Sequence, residues 1–509
     1  MLRTLGETLP AQVFVRSEIR DLIEMYQDIW SLQHALSLMG WDLETYMPED
    51  GVVERSIAMS RINLMIKRLF TRREFIDKLA AAEKIEDLND YERGVIRVLR
   101  RAVDYYTKIP ERVVEELSRT TSEASVVWRN AKAKDDFNMF SPYLDKIIAL
   151  EREVAEHLGY RDHPYDALID LYEEGLTARE FGSIMDRLIP GLRSILDKVL
   201  SEGYFPTAHR FEDESYNIDT MRRVNERILE ILEYDPKRLR LDVSAHPFTA
   251  SMGIRDVRIT TRYEGRDFRR TILSVIHEYG HALYELQIDE ALQGTPIAIG
   301  ASMGVHESQS RFWELVIGKS RAFIEVLHRR VLRDHIASTS EEDLYRYFNI
   351  VRPSLIRVDA DEVTYNLHIA VRFEIERLAI GGEISVKDIP ELWGELMEKY
   401  VGIRPKRHSE GVLQDIHWSN GSIGYFPTYS LGTIVAAQIR DAMDRDLGGI
   451  YGHVSNLNFR AIRGWLGEKI HKWGSTYPPR ELLRRFIGRD IDPESYLSYL
   501  EGKYIKKTI

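Results

Sequence analysis

Apolar side chains recur at helical spacing over most of this 509-residue chain. In Ser17 to Gly40 they form one stripe, with Ser17 as a plausible N-cap and Gly40 as the expected end of the helix. The stripe consists of Ile19, Leu22, Ile23, Tyr26, Ile29, Trp30 and His34. The same spacing predicts further helices at Asp90 to Tyr106, Met139 to Leu158, Ala178 to Leu200, Met221 to Glu233, Ser310 to Leu332 and Glu341 to Asn349. The sequence therefore predicts a predominantly α fold.

Strand signals are confined to one region. In His246 to Tyr263, Gly253 separates two segments rich in β-branched residues, as in a β-hairpin. No repeat of 20 to 50 residues and no Gly/Ser linker divides the chain. We therefore predict one helical unit over residues 1–509, with two lobes flanking a groove and a small hairpin or sheet.

The charge balance excludes some classes of partner. The formal net charge of -11 argues against nucleic acid, because phosphate contacts need a basic surface. The opening residues, MLRTLGETLPAQVFV, have no sustained apolar segment, and no run of 18 apolar residues occurs elsewhere, so we predict a cytoplasmic protein without a membrane partner. Cysteine is absent, which leaves His, Asp and Glu as the side chains that can hold a metal.

One apolar segment, TILSVIHEYGHALYEL (Thr271 to Leu286), carries three polar residues that need partners. His277 and His281 are four residues apart, so both imidazoles project from one face of a helix and can share a cation. Glu278 is rotated by about 100° from His277, where it can act as a general base without being a ligand. The alternative, a buried helix with hydrogen-bonded core histidines, is disfavoured because unpaired polar groups in an apolar helix are costly.

A catalytic metal site of this kind usually has a third protein ligand. Glu307 lies 26 residues after His281, which leaves room for one helix to end and a second to return antiparallel. Glu285 and Asp289 lie on the same helix as the histidines and cannot face the metal equally well. The alternative for Glu307 is a surface carboxylate paired with Arg311 at i+4.

Several further motifs occur in a fixed order along the chain. They are WDLETYMP (Trp41 to Pro48), HPF (His246 to Phe248), DVRIT (Asp256 to Thr260), HESQ (His306 to Gln309), IRVDAD (Ile356 to Asp361), GVLQDIHW (Gly411 to Trp418) and GYFPTYSLG (Gly424 to Gly432). Together with HEYGH they make the chain resemble the carboxypeptidase Taq family of metallocarboxypeptidases, peptidase family M32.

The resemblance implies a saddle-like helical fold with a deep central groove, similar to neurolysin and angiotensin-converting enzyme, and a homodimer. It implies that one divalent metal per subunit, zinc or alternatively cobalt, is bound by His277, His281 and Glu307 and that Glu278 is the catalytic base. The implied activity is release of single amino acids from peptide C-termini with broad specificity. The nearest alternative is an oligopeptidase that cuts internal bonds; a helical protein that binds peptides without cleaving them is a second.

In the related zinc peptidases a Tyr and a His from a C-terminal segment stabilise the oxyanion. Tyr429, Tyr425 and His417 are the matching candidates here. The alternative for each tyrosine is an aromatic residue of the core or of the groove wall.

An exopeptidase must also recognise a terminal carboxylate, for which a planar guanidinium is well suited. Arg357 in IRVDAD is the first candidate and Arg258 in DVRIT the second. The alternative is that each arginine pairs with a local carboxylate, which would be Asp359 or Asp361 for Arg357 and Asp256 for Arg258. By resemblance alone, four further residues are expected to line the substrate groove: His246, His306, Gln414 and Asp415. Asp415 could instead orient a histidine.

Overall fold

The computed structural model describes residues 13–333, 335 and 339–508 and is mostly helical. The helices are α1 Ser17–Thr45, α2 Val52–Phe70, α3 Arg73–Ala82, α4 Asp90–Lys108, α5 Glu111–Lys134, α6 Ser141–Leu158, α7 Pro164–Asp170, α8 Ala178–Glu202, α9 Ile218–Ile231, α10 Phe268–Leu286, α11 Met303–Arg311, α12 Arg321–Leu327, α13 Glu341–Phe348, α14 Tyr365–Gly381, α15 Ile389–Tyr400, α16 Phe426–Leu447, α17 Ile450–Ser455, α18 Phe459–Lys469, α19 Pro479–Phe486 and α20 Glu494–Leu500. Three π-helical segments continue α11, α12 and α20: Phe312–Gly318, His328–Leu332 and Glu501–Ile505. The predicted predominantly helical fold with a small sheet is confirmed.

Two predicted helix boundaries are wrong. Gly40 does not end α1, which continues to Thr45 and thereby buries Trp41, whose side chain packs beside Tyr46. Ser310 to Leu332 is not one helix, because a new helix begins after Ser320, whose hydroxyl accepts a hydrogen bond from the backbone N–H of Phe323. A capping serine within a continuous apolar pattern thus starts a second helix.

The sheet contains three strands: β1 Leu239–Val243, β2 Thr249–Gly253 and β3 Asp256–Thr261. Strands β2 and β3 form the predicted antiparallel hairpin, with Thr249 opposite Ile259. Strand β1 pairs in parallel with β3, so the order is β1-β3-β2. The sequence does not predict β1, because a strand that pairs in parallel is not marked by a tight turn.

The chain forms two compact units, each assembled from three segments. The first unit comprises the described parts of Met1–Thr107, Arg210–Thr339 and Ile439–Asp490. The second unit comprises the described parts of Lys108–His209, Ser340–Gln438 and Ile491–Ile509. The prediction of a single unit with two lobes and a groove stays a prediction.

Each unit contains a central buried helix. In the first unit, α10 packs against α9, α11 and the sheet, so most of its side chains are buried. In the second unit, α14 packs against α6, α7, α8 and α15. These two helices carry or contact the polar groups described below.

No helix within residues 13–333, 335 and 339–508 combines the length and the apolar character needed to cross a membrane.

Candidate functional site

The first unit brings the three predicted metal ligands together. His277 and His281 lie one turn apart on α10, and Glu307 lies on the neighbouring helix α11. Glu307 Oε2 is 3.8 Å from Nε2 of His277 and 3.4 Å from Nε2 of His281. One ligand atom from each residue lies within 4.8 Å of the others. Two nitrogens and one carboxylate oxygen are a donor set suited to a divalent transition metal.

A glycine allows α10 and α11 to approach this closely. Gly280 precedes His281, and a Cβ built there would lie 2.6 Å from the backbone oxygen of Gln309 and 2.6 Å from Cα of Ser310. Both contacts are with backbone atoms of α11, which cannot move aside as a side chain can. The Gly in HEYGH therefore sets the separation between the histidines and Glu307.

Glu314 and Arg311 hold two of the predicted ligands. His277 Nδ1 lies 2.9 Å from Oε2 of Glu314, in the π-helical segment that follows α11. Arg311 donates from Nε to Oε1 of Glu307 at 2.7 Å and from Nη1 to Glu314 at 3.1 Å. The Glu307–Arg311 pair that was the alternative to metal binding is present, but it occupies the oxygen turned away from the histidines.

His306 connects His281 to a second carboxylate. His306 Nε2 lies 2.8 Å from Oε1 of Glu285, and His306 Nδ1 lies 2.7 Å from Nδ1 of His281. If His306 donates its Nε2 proton to Glu285, its Nδ1 accepts the Nδ1 proton of His281. This arrangement leaves the Nε2 lone pair of His281 on the side of Glu307. In the same way, a hydrogen bond from Nδ1 of His277 to Glu314 leaves the Nε2 lone pair of His277 on that side. The residues present therefore fit a bound divalent cation.

Glu278 lies beside the ligands and is held by the sheet. Its carboxylate is buried, and Oε2 accepts a hydrogen bond of 2.6 Å from the hydroxyl of Thr249 on β2. Burial raises the pKa of Glu278 above its ordinary value, although the charge of His277 and the Thr249 hydrogen bond oppose the shift. A carboxylate with a raised pKa is better matched to proton transfer near neutral pH.

Burial and neighbouring charges shift the pKa values of the predicted ligands. Burial raises the pKa of Glu307, but the positive charge of Arg311 and the adjacent His277 outweigh it, so the pKa lies well below its ordinary value. Burial lowers the pKa of His281 to about 4, which keeps that imidazole neutral at neutral pH. Burial also lowers the pKa of His277, but Glu307 and Glu314 outweigh it and raise that pKa, so His277 would have to lose its proton to bind a cation. An ionised carboxylate and a neutral imidazole are the forms that bind a metal.

Arg258 and His246, two predicted substrate-binding residues, lie on or beside the sheet and make none of the contacts described above. Arg258 on β3 donates two hydrogen bonds to Asp256, of 3.0 Å and 2.9 Å, and stacks over the ring of Trp41 at 4.3 Å. This pairing is the alternative considered for Arg258 in the sequence. His246 is exposed in the loop between β1 and β2, and its backbone oxygen accepts from Ser244.

The second unit gathers the remaining candidates around Arg357. Its Nε and Nη2 donate to Oδ1 of Asp415 at 3.0 Å and 2.8 Å, and its backbone N–H donates to Gln414 at 2.8 Å. Asp415 also accepts from Nε of Arg372 at 2.7 Å. The partner of Arg357 is therefore Asp415, whereas the sequence suggested the nearer Asp359 or Asp361. Asp415 pairs with two arginines, whereas the sequence left open a role in orienting a histidine.

The aromatic candidates adjoin this ion-pair cluster. His417 Nε2 lies 3.0 Å from the hydroxyl of Tyr429, and the ring centroids of Tyr425 and Tyr429 are 5.2 Å apart. The Arg357 guanidinium lies 5.0 Å from the centroid of Tyr429. Burial and the charge of Arg357 lower the pKa of His417 to about 4, so its imidazole is neutral at neutral pH.

Comparison with known proteins places this geometry in a family. Residues 21–504 match the family model for carboxypeptidase Taq (M32) metallopeptidases. The chain belongs to this M32 family. The predicted metallocarboxypeptidase, a hydrolase of peptide bonds, is thereby confirmed, and the internal-cutting alternative is not favoured.

Relatives of this M32 chain match it over nearly their whole length. Thermostable carboxypeptidase 1 of Pyrococcus furiosus is 50% identical, covering 97% of this chain and 100% of the relative. Carboxypeptidase 1 of Bacillus subtilis is 35% identical, and the match covers 95% of this chain and 97% of that relative. A solved structure described as Pyrococcus furiosus carboxypeptidase Apo-Mg superposes with a TM-score of 0.96 at 50% identity, covering 97% of this chain and 100% of that one.

Several residues around His277, His281 and Glu307 are not predicted as site residues by the sequence. Thr249 and Glu314 have no motif of their own. Glu285 was considered only as an alternative metal ligand, and Arg311 only as a competitor for Glu307. One signal was available for Gly280, since an isolated glycine within an apolar helix often marks close packing.

Proposed function

We propose that this M32 protein releases single amino acids from the C-termini of peptides with broad specificity, through a metal site formed by His277, His281 and Glu307. The observation that carries the proposal is the convergence of two imidazole Nε2 atoms on one oxygen of Glu307, with Glu278 alongside. We propose zinc as the metal, with cobalt as the alternative. When bound, the cation would supply Lewis acidity for peptide hydrolysis.

Glu278 is proposed as the general base. Its carboxylate takes a proton from the attacking water and delivers it to the amine that leaves. Two features support this role: the raised pKa of Glu278 and the Thr249 hydrogen bond that fixes its Oε2. Because Thr249 binds one oxygen, the other remains to handle the proton.

Tyr429, Tyr425 and His417 are proposed to stabilise the developing oxyanion. A hydroxyl or an N–H donor placed where negative charge develops lowers the barrier more than it strengthens ground-state binding. Support comes from their mutual contact, since a neutral His417 hydrogen-bonded to Tyr429 makes one polar cluster of the three residues.

Arg357 is proposed to bind the terminal carboxylate of the substrate. Arg357 and Arg372 share the single carboxylate of Asp415, so this trio carries one positive charge in excess. A buried excess charge favours an anionic ligand. In this proposal Gln414 and Asp415 hold Arg357 in place, His306 orients His281, and Arg258 and His246 contribute to substrate binding from the sheet.

One experiment tests this function through the products. Purified protein loaded with zinc is incubated with a peptide and with its C-terminally amidated form, and the products are followed by mass spectrometry. A ladder losing one C-terminal residue at a time is expected from the free acid, with little cleavage of the amide. Internal fragments, or equal cleavage of both peptides, would refute C-terminal release.

The same assay on Glu278→Gln tests the assigned base. The variant should retain its metal, because no ligand is changed, yet lose activity by roughly a hundredfold or more. Glu285 contacts His306, so its substitution would be a poor control. Glu290, which is exposed, is replaced by glutamine as the control instead. A Glu278→Gln protein as active as the wild type would assign the base elsewhere.

We also propose a homodimer, supported by an exposed apolar surface on α2. Val53, Ile57 and Met65 are 65%, 59% and 49% exposed on a helix whose buried residues are Ile66 and Phe70. Such surfaces are typical of protein contacts. Light scattering after gel filtration should give twice the mass of one chain for the wild type. In the double variant Val53→Glu/Ile57→Glu the measured mass should fall toward that of one chain. A monomeric wild type would refute the dimer.

A further inference from the structure

A buried carboxylate in the second unit holds the segment that carries two of the proposed oxyanion residues. Glu376 on α14 is 2% exposed. Its Oε2 accepts from the hydroxyl of Tyr165 at 2.5 Å and from the backbone N–H of Gly424 at 2.9 Å, and its Oε1 accepts from the indole Nε1 of Trp418 at 2.7 Å. Three donors on one buried carboxylate make a strong, directional anchor.

Two of these donors flank the proposed oxyanion residues directly. Trp418 follows His417, and Gly424 precedes Tyr425. Glu376 therefore fixes both ends of the segment 417–425, which lacks a regular helix apart from a single short turn at His417–Asn420. Displacing this carboxylate would release the two ends together.

The anchor itself is rigid. Helix α14 packs against four other helices, and Tyr165 lies on α7. At Gly424, where φ is +92°, a Cβ would lie 2.6 Å from the backbone carbon of Leu168, so the segment rests directly on the backbone at the end of α7. The indole of Trp418 also packs edge-on to Trp393 at 5.8 Å. The segment is thus held between helices, with Glu376 at the centre.

We propose that Glu376 is a positioning residue for catalysis, which acts by holding His417 and Tyr425 in the geometry that stabilises the transition state. The inference rests on the oxyanion role proposed above for those two residues. No charge from Glu376 needs to reach the substrate, because its effect passes through Trp418 and Gly424. It follows that Glu376 affects kcat much more than KM.

Glu376→Gln is the direct test. Glutamine keeps the size of the side chain but offers one acceptor oxygen, so the donors on the other oxygen lose their partner. Burial raises the pKa of Glu376 to about 7, so assays are run near pH 8, where the wild-type carboxylate is largely ionised. We expect kcat to fall roughly tenfold to a hundredfold with KM changed less than about threefold and metal content unchanged. Glu374→Gln, a half-buried carboxylate on the same helix, is the matched control and should behave as wild type.

A double-mutant cycle separates this inference from the proposed role of His417. In a background that carries both His417→Ala and Tyr425→Phe, Glu376→Gln should cost less than about threefold more in kcat, because both residues through which it acts are already gone. Equal losses in both backgrounds, or a wild-type kcat for Glu376→Gln, would overturn the positioning role. If His417→Ala alone keeps the wild-type kcat, the oxyanion role of His417 is refuted and this inference loses its His417 part.

A second, milder variant tests the inference if Glu376→Gln does not fold. Trp418→Phe keeps an aromatic ring against Trp393 and removes only the indole donor to Glu376. We expect a smaller fall in kcat, again with little change in KM. If Glu376→Gln does not fold, a Trp418→Phe protein with a normal melting temperature and wild-type kcat overturns the inference.

Discussion

Glu307 uses its two carboxylate oxygens for different purposes. Oε2 faces the two histidines, while Oε1 accepts the guanidinium of Arg311. Oε2 is therefore the oxygen that would bind a cation held by His277 and His281, because Oε1 is already paired with Arg311. Arg311 also donates a hydrogen bond to Glu314, so one arginine aligns Glu307 and the carboxylate that orients His277, both of them proposed ligands.

This arrangement predicts that Glu314→Gln weakens metal binding. The amide is neutral and holds the Nδ1 proton of His277 less firmly, so we expect a roughly tenfold to hundredfold loss of zinc affinity with the fold intact. Competition with a chromophoric chelator measures it. Glu325→Gln, a half-exposed carboxylate on α12 that contacts Arg329, is the control. Identical zinc affinities for both variants would show that Glu314 does not support the site.

The sequence reached some of these residues and not others, for a physical reason. His277, Glu278 and His281 lie within one helical turn, so the helical repeat alone places them. Glu307 was reached by asking which carboxylate could return on another helix. Thr249 contacts Glu278 across 29 positions of sequence, and no local pattern encodes such a contact.

At the scale of elements, the separation of α10 and α11 depends on Gly280. An alanine Cβ there would meet backbone atoms of Gln309 and Ser310, so the helices must move apart or bend. Gly280→Ala is expected to destabilise the protein by about 1–3 kcal/mol and to weaken zinc binding, because Glu307 moves away from the histidines.

Thermal unfolding and zinc titration test this expectation together. Gly464→Ala on α18 is the matched control, since a Cβ at that helical glycine meets nothing within 4 Å. Alanine favours a helix over glycine, so the control should be neutral or slightly stabilising. A Gly280→Ala protein that gains stability as the control does would show that the helices tolerate the added methyl.

The periodicity of apolar residues locates the helices but does not determine where each one ends. Helix α1 begins at Ser17 and follows the predicted apolar stripe, but the prediction of Ser17 as N-cap is wrong, because Ser17 is already helical and Arg16 occupies the cap without a side-chain hydrogen bond. Its end was misplaced, since Gly40 keeps a helical conformation when the buried Trp41 that follows contributes to the core. Ser320 shows the converse, because its capping hydrogen bond becomes visible only in three dimensions.

For the molecule as a whole, two buried carboxylates predict how stability depends on pH. Burial raises the pKa of Glu151 to about 8 and that of Glu376 to about 7, each above the ordinary value for glutamate. The folded state therefore binds protons that the unfolded state has already released between about pH 5 and pH 8. These two carboxylates therefore lower the free energy of unfolding as the pH rises through this range, whereas His281 and His417, whose pKa values are lowered, raise it with pH up to about pH 6.5.

Replacing Glu151 isolates this effect. Glu151→Gln cannot ionise, so its free energy of unfolding should fall less than that of wild type from about pH 5 to about pH 8, by roughly 2 kcal/mol or more. Urea denaturation at several pH values measures the difference. Parallel curves for the two proteins would mean that Glu151 is ionised in the folded state across the whole range.

The two interleaved units also bear on how the protein is made. The first unit needs residues up to Asp490, and the second needs segments that extend to the end of the chain. Synthesis at about 5–20 residues per second therefore leaves both units incomplete for most of the time the chain spends on the ribosome. The face that α8 presents to α20 stays without its partner until translation is nearly over. We therefore expect a nascent chain of this protein to need chaperones more than one whose domains follow each other in sequence.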